Sequence, residues 1–437
     1  MTRRWLTWAW GIWAAAQVIN VTIAGGFGMV VEDVSYYFRG LTDVGSGLNE
    51  YPDASIWPLH FLYLISGHNH DAFVWLFLLG NITISGLFLW YLTRKSHSRP
   101  RANARAGMFW ALFNLLLCPL VLTRMDLAIG MTVAAFVIVC GTRWALAAPL
   151  ILSFATMLKL SPGVLAATLV GRFNQRNTWL RLLIFAVGLA LTATITMVIA
   201  GPERLLSPLN YQSERGLQVE SVSATPFVVL AAFIPGVWDV HYSSSKSYEI
   251  FGPGVDVAVV GSTALMVLTL LFALGVAAWQ FLRPAGYSAD ITSRWQPWNS
   301  DYVLRMSLAI TLLIIVTNKV FSPQYLMWAA PLISLLLLKE SHRTLAYMFL
   351  AATFFSAVIF PWMYTFVTDG LNLWGAALLL VRNVLILWVC YYAVKIAVRS
   401  LVSPSDNRLR KERGHRARPA HQPEILGTET VGGRKFR

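Results

Sequence analysis

Charge, cysteine and nucleotide-binding glycine patterns are all scarce in this 437-residue chain. Charged residues make up 13% of it, against about 25% in a soluble domain, which excludes an ordinary water-soluble globule. The three cysteines, Cys118, Cys140 and Cys390, each sit inside an apolar run, so neither a disulfide framework nor a metal-ligand spacing is present. No Gly-x-Gly-x-x-Gly loop and no internal repeat occur, so the sequence offers no nucleotide-binding fingerprint.

What is abundant is apolar surface. Hydrophobic residues reach 56%, and 18 are Trp, which favours membrane interfaces. The formal net charge of +14 would suit a nucleic-acid partner, but the basic residues lie in loops and in the C-terminal stretch, the pattern of positive-inside bias. No nucleic-acid binding is therefore expected. A spanning helix needs about 20 mostly apolar residues. Runs of that kind read as 5–29, 72–93, 107–123, 127–141, 144–158, 180–200, 257–282, 304–320, 324–338, 344–362 and 374–398, with two short pieces at 160–171 and 222–236. Short pieces are tolerated at membrane depth only when packed in protein or lining a cavity. Residues 1–25 share the outline of a signal peptide, but their apolar run exceeds the usual ~7–15 residues and reads as a span. The expected architecture is an all-α polytopic membrane protein of roughly 11–13 transmembrane helices with short outer loops. A transmembrane domain covers 1–402. A polar, basic, disordered tail covers 403–437, serving solubility or attraction to anionic lipids.

The loops sort by charge. RKSHSRPRANAR (94–105), RFNQRNTWLR (172–181), KESHR (339–343) and the tail are basic and belong in the cytoplasm, as does the Trp-rich loop 283–305. Loops at 30–71, 124–126, 201–221, 237–256, 318–323 and 363–373 have mixed charge and face outward, and most of the unusual polar residues are there.

Glu32 and Asp33, in VEDVSYYF, read either as a solvated helix end or as a general base able to take a proton from an incoming hydroxyl. Tyr36 follows one turn later. Arg124 and Asp126 stand between two apolar runs, as a local pair or as pathway residues. Lys159, beside Pro162, reads as snorkelling or as an anion site. The loop 210–226 carries Arg215, Gln218 and Glu220 and reads as a substrate loop. Asn318, Lys319, Gln324 and Tyr325 cap a helix pair, where backbone N–H groups favour anions. Arg382 is set several residues into a span, where it needs a cavity or a carboxylate partner. Lys159, Lys319, Arg215 and Arg382 together suit a lipid-linked phosphate. Glu32, Asp33 and Asp126 suit the acceptor hydroxyl.

On EDVSYY, MLKLSP, RGLQVES and NKVFSPQYLMWAAP, the chain resembles the GT-C glycosyltransferases over most of 1–398. The nearest likeness is to actinobacterial polyprenyl-phosphate-mannose-dependent mannosyltransferases. That resemblance implies a multi-pass enzyme of the plasma membrane whose site faces the extracytoplasmic side, with the tail in the cytoplasm. It also implies a polyprenyl-phosphate sugar donor carrying mannose or arabinose, and a glycolipid or envelope-glycan acceptor. Transfer would be inverting, with Asp33 or its neighbour Glu32 as the base. Lys159, Lys319, Arg215 and Arg382 would hold the donor phosphate. Tyr36, Arg124, Asp126, Gln218, Glu220, Asn318, Gln324 and Tyr325 would meet acceptor or sugar. No cofactor is expected; the acidic pair leaves a divalent ion open. The rival reading is a transporter or lipid flippase for an envelope precursor, which predicts polar residues on both faces and inverted repeats.

Overall fold

A backbone crossing hydrocarbon must satisfy its own N–H and C=O groups, and a continuous apolar run does so as a helix. The computed structural model describes residues 2–26, 28–42, 48–94, 99–283 and 300–402. The tail 403–437, residues 95–98 of the first basic loop and 284–299 of the Trp-rich loop lie outside the described residues.

The chain is an all-α polytopic membrane protein. Its helices are α1 (Thr2–Gly26), α2 (Gly28–Thr42), α3 (Asp53–Ile65), α4 (His70–Arg94), α5 (Pro100–Leu116), α6 (Leu120–Thr123), α7 (Asp126–Cys140), α8 (Ala148–Leu158), α9 (Arg176–Glu214) and α10 (Thr225–Phe233). A hairpin of β1 (Asp239–Tyr242) and β2 (Tyr248–Phe251) follows. Then come α11 (Val255–Leu282), α12 (Ser300–Thr317), α13 (Leu326–Lys339), α14 (Arg343–Ala357), α15 (Thr365–Thr368) and α16 (Leu373–Val402). Six stretches are long and apolar enough to cross a bilayer: His70–Arg94, Arg176–Ser213, Val255–Leu282, Ser300–Thr317, Arg343–Trp362 and Leu373–Leu401. Arg4–Gly26 and Val31–Thr42 pass that test only as a pair bent by 67°.

The remaining apolar runs of the sequence fold as shorter pieces. Helix α7 has 15 residues, a length of about 22 Å, less than the ~30 Å of hydrocarbon. Such pieces are tolerated because they are buried. The largest apolar cluster runs through α5, α7, α8, α12, α13, α14 and α16. The short run 160–171 becomes a 3-10 helix over Ser161–Leu169, and 222–236 becomes α10.

The segments at the other end of the bundle are more structured than short loops. Residues 30–71 carry α2 and α3. Helix α9 continues past its apolar run to Glu214, bending at Gly201, whose φ of +84° few other residues adopt. The stretch 237–256 contains the hairpin. A second cluster, including Leu217, Ile250 and Val367, packs beneath the hairpin; a third, including Val34, Tyr37 and Phe73, underlies α2.

Candidate functional site

The segments at this end of the bundle enclose a cavity of about 420 Å³. Helix α2 contributes Glu32, Asp33 and Tyr36 to its wall. Lys159, Arg215, Arg124, Gln218, Glu220, Gln324 and Tyr325 line it from four other segments. Among the sequence-predicted residues, Lys319, Asn318, Asp126 and Arg382 are not part of its lining.

Asp33 pairs with Arg124, and Glu32 pairs with Arg39. Arg124 therefore does not pair with its near neighbour Asp126. It lies extended between α6 and α7, a link steadied by Asn81 Nδ2 donating to the Leu122 carbonyl at 2.8 Å. Asp33 is the more enclosed of the two acids, with 30% of its side chain exposed against 61% for Glu32.

Asp126 opens α7 and is fully buried. Its Oδ1 accepts from Lys159 Nζ at 3.1 Å and from Trp328 Nε1 at 2.8 Å. Lys159 lies 4.6 Å from the Tyr325 ring centre and 4.5 Å from that of Trp328, the two rings stacking 4.2 Å apart. It is thus a cation held by one carboxylate and two aromatic faces, not a side chain reaching for lipid. It ends α8 in an extended conformation just before Pro162, and the helix break turns it inward. Asp126 serves as its buried anchor; it does not meet the cavity.

Arg215 follows α9, stacks 5.3 Å from the Tyr211 ring and donates to the Ser245 carbonyl at 3.5 Å. Lys319 donates to the Ser213 carbonyl at 3.3 Å. Burial, and then the neighbouring Arg215, lower its pKa, while Glu249 opposes them. Asn318 closes its own turn by accepting from the Val320 N–H at 3.0 Å. Gln218 accepts from the Phe321 N–H at 2.6 Å, tying the 215–224 segment to the link between α12 and α13.

Arg382 differs most from its expected role. It is fully buried in α16, donates to the Glu220 carbonyl at 2.6 Å, lies 3.6 Å from the Glu220 carboxylate and sits 4.2 Å over the Phe321 ring. It is the structural partner of Glu220, and the partner screens it from the cavity. Burial pushes the Glu220 carboxyl up to about 7, against the opposing pull of Arg382 and of a hydrogen bond from Tyr364.

Several wall residues escaped the sequence reading. The hairpin turn brings Ser245, Lys246 and Ser247 over the cavity. Lys246, in the left-handed region at φ +55°, donates to the Tyr36 hydroxyl at 2.7 Å and lies 4.2 Å from its ring. The Tyr36 hydroxyl in turn donates to Glu50 at 2.8 Å. Glu249 fixes the turn, accepting from Ser245 Oγ at 2.5 Å and from the Gly216 N–H at 3.1 Å. Short Tyr- and Val-bearing stretches on either side of SSSK carried a hairpin signal, though nothing that said where the turn would land.

Among the described residues, Arg215 and Lys246 have no carboxylate within ion-pair distance, so the cavity offers two cations free of carboxylates beside three paired ones, Arg39, Arg124 and Lys159. No group of three or more His, Cys, Asp or Glu is arranged for a metal among the described residues. Such a surface suits an anion flanked by hydroxyl-rich groups. Comparison with protein-family models, curated proteins and solved structures gives no match.

Proposed function

We propose that the protein is a membrane glycosyltransferase that moves a sugar, mannose in the first instance, from a polyprenyl-phosphate donor to a hydroxyl of a glycolipid or cell-envelope glycan. The observation that carries this reading is the meeting of Asp33 with Arg124, Lys159, Arg215 and Lys246 on one cavity wall. The resemblance of the motifs to GT-C enzymes supplies the reaction class. The site faces the extracytoplasmic side of the plasma membrane in this reading, and the basic loops face the cytoplasm.

The chemistry follows from the wall. The acceptor hydroxyl oxygen attacks the anomeric carbon and forms the new C–O bond while the bond from that carbon to the phosphate oxygen breaks. The phosphate leaves with the bonding electron pair, and the hydroxyl proton passes to Asp33. Arg215 and Lys159 stabilise the charge that grows on the leaving phosphate. An arriving phosphate competes with Asp33 for Arg124. When Arg124 turns to the phosphate, the carboxylate is freed to accept the proton. Glu32, held by Arg39 on the more open side, is the secondary candidate.

The test uses purified protein in lipid with labelled polyprenyl-phosphate mannose and membrane glycolipid acceptors. Asp33→Asn should lower kcat by about 10²- to 10⁴-fold, the range for a lost general base, and Arg215→Met should chiefly raise the KM for donor. Equal turnover by Asp33→Asn removes the base. Movement of donor across a liposome without transfer replaces the enzyme by a transporter.

A further inference from the structure

A second cavity, of about 450 Å³, lies at the opposite end of the bundle, between α1, α5, α13 and α14. Helix α13 connects the two: Tyr325, at its start, lines the first cavity and Leu337 lines the second, about 18 Å away at the helical rise. This second cavity plays no part in the proposed transfer.

Its wall has a regular order. On α5 it is formed by Arg101, Arg105, Met108 and Leu112, spaced four, three and four residues apart and so on one helix face. On α14 it is formed by Arg343, Ala346, Tyr347 and Leu350, again one face. Each face starts with arginine at the helix N-terminus and continues apolar. The two helices are clamped by Phe109 and Phe113 against Phe349, each with ring centres 6.1 Å apart. No lining residue carries a carboxylate. Among the described residues, the one polar partner of the three guanidiniums is the Leu337 carbonyl, which accepts from Arg105 Nη2 at 3.2 Å. Arg105 Nε is buried without a hydrogen-bond partner.

This arrangement is electrostatically uphill as it stands. Three like charges face one hollow, and two of them, Arg101 and Arg343, sit in the first turns of α5 and α14, where the dipole already favours anions and disfavours cations. A bound anion relieves both. The apolar continuation along each helix says what that anion is attached to. Met108, Leu112 and Leu350 extend the hollow along the membrane-crossing direction, and Trp5 and Tyr347, 56% and 63% exposed, give it the aromatic edge of an interface.

We propose that this cavity is a binding site for an anionic phospholipid, with the phosphate headgroup among Arg101, Arg105 and Arg343 and an acyl chain along Met108, Leu112 and Leu350. Basic pockets between membrane helices are a recurrent way to hold such headgroups.

The experiment is native mass spectrometry of the full chain in detergent with added phosphatidylglycerol, phosphatidylcholine or inorganic phosphate. Wild type should retain one phosphatidylglycerol at least ten-fold more readily than phosphatidylcholine. Arg101→Gln with Arg343→Gln, both on exposed positions, should remove that preference, whereas Arg143→Gln with Lys395→Gln, the same charge change elsewhere, should keep it. Leu112→Trp, which fills the hollow without altering charge, should also remove it and covers the case in which the arginine variant fails to fold. The proposal is overturned if the arginine and tryptophan variants retain the lipid as wild type does. It is also overturned if the control pair loses the lipid equally, or if inorganic phosphate competes as well as the lipid does.

Discussion

Among single residues, Glu220 has the least ordinary environment. It is buried with Arg382, yet burial outweighs that attraction and raises its carboxyl from near 4.5 to about 7. Between those values the folded chain keeps a proton that the unfolded chain gives up. Its contribution to stability is therefore whole below about pH 4.5, is lost as pH rises to about 7, and stays constant above. Glu220→Gln lacks that titration. The margin by which wild type exceeds Glu220→Gln in thermal unfolding should shrink as pH rises from about 4.5 to about 7. A margin that grew over that window would mean that Arg382 holds the carboxylate charged and that the burial argument is wrong. The same pair shows why site roles are hard to read residue by residue. Arg382 was legible as a charge in need of a partner, but its partner lies 162 positions away, and nothing local in LVRNV separates a phosphate grip from a buried structural bond.

At the scale of elements, the site depends on how closely α7 crosses α13. Gly130 permits it: a Cβ there would lie 2.1 Å from the Met327 carbonyl oxygen, a backbone atom that cannot swing aside. Asp126 lies one turn before that crossing, and Trp328, its donor, is next to Met327. Gly130→Ala should thus cost about 1–3 kcal/mol of stability through overpacking, read as a lower unfolding temperature. It should also weaken donor binding through a displaced Lys159, whereas Gly11→Ala, where a Cβ meets nothing within 4 Å, should do neither. If Gly130→Ala unfolds like wild type, the helices are not in contact there. Apolar runs identified α4, α11 and α16 closely, because a lipid-facing helix leaves a long uniform signature. The same criterion misjudged the 201–214 stretch. Its mixed charge reads as loop, yet α9 absorbs the break at Gly201 and continues through Pro202 and Pro208. The motif MLKLSP was placed well because a helix end and a following proline are local features, while the hairpin's landing on Tyr36 is a tertiary event 210 residues long.

For the whole molecule, burial divides the spans into two kinds. The apolar windows of Arg176–Ser213 and Val255–Leu282 are 11% and 17% buried, whereas that of Ser300–Thr317 is 78% buried. The first two present their surfaces to lipid, and α12 is the packed centre. With α13 running from one cavity to the other, the two ends of the bundle are distinct, and the proposed function assigns them to opposite sides of the membrane. The three native cysteines are 8%, 2% and 4% exposed, so labelling of introduced thiols has little background. Ser244→Cys puts a thiol on the exposed hairpin turn, and Ser341→Cys puts one between α13 and α14 at the far end. A membrane-impermeant maleimide added to intact cells should modify the first and leave the second untouched until the membrane is opened. Labelling in the reverse order would turn the first cavity to the cytoplasm. A lipid-linked sugar presented outside could not then reach Asp33, and the basic loops would stand on the side that positive-inside bias disfavours.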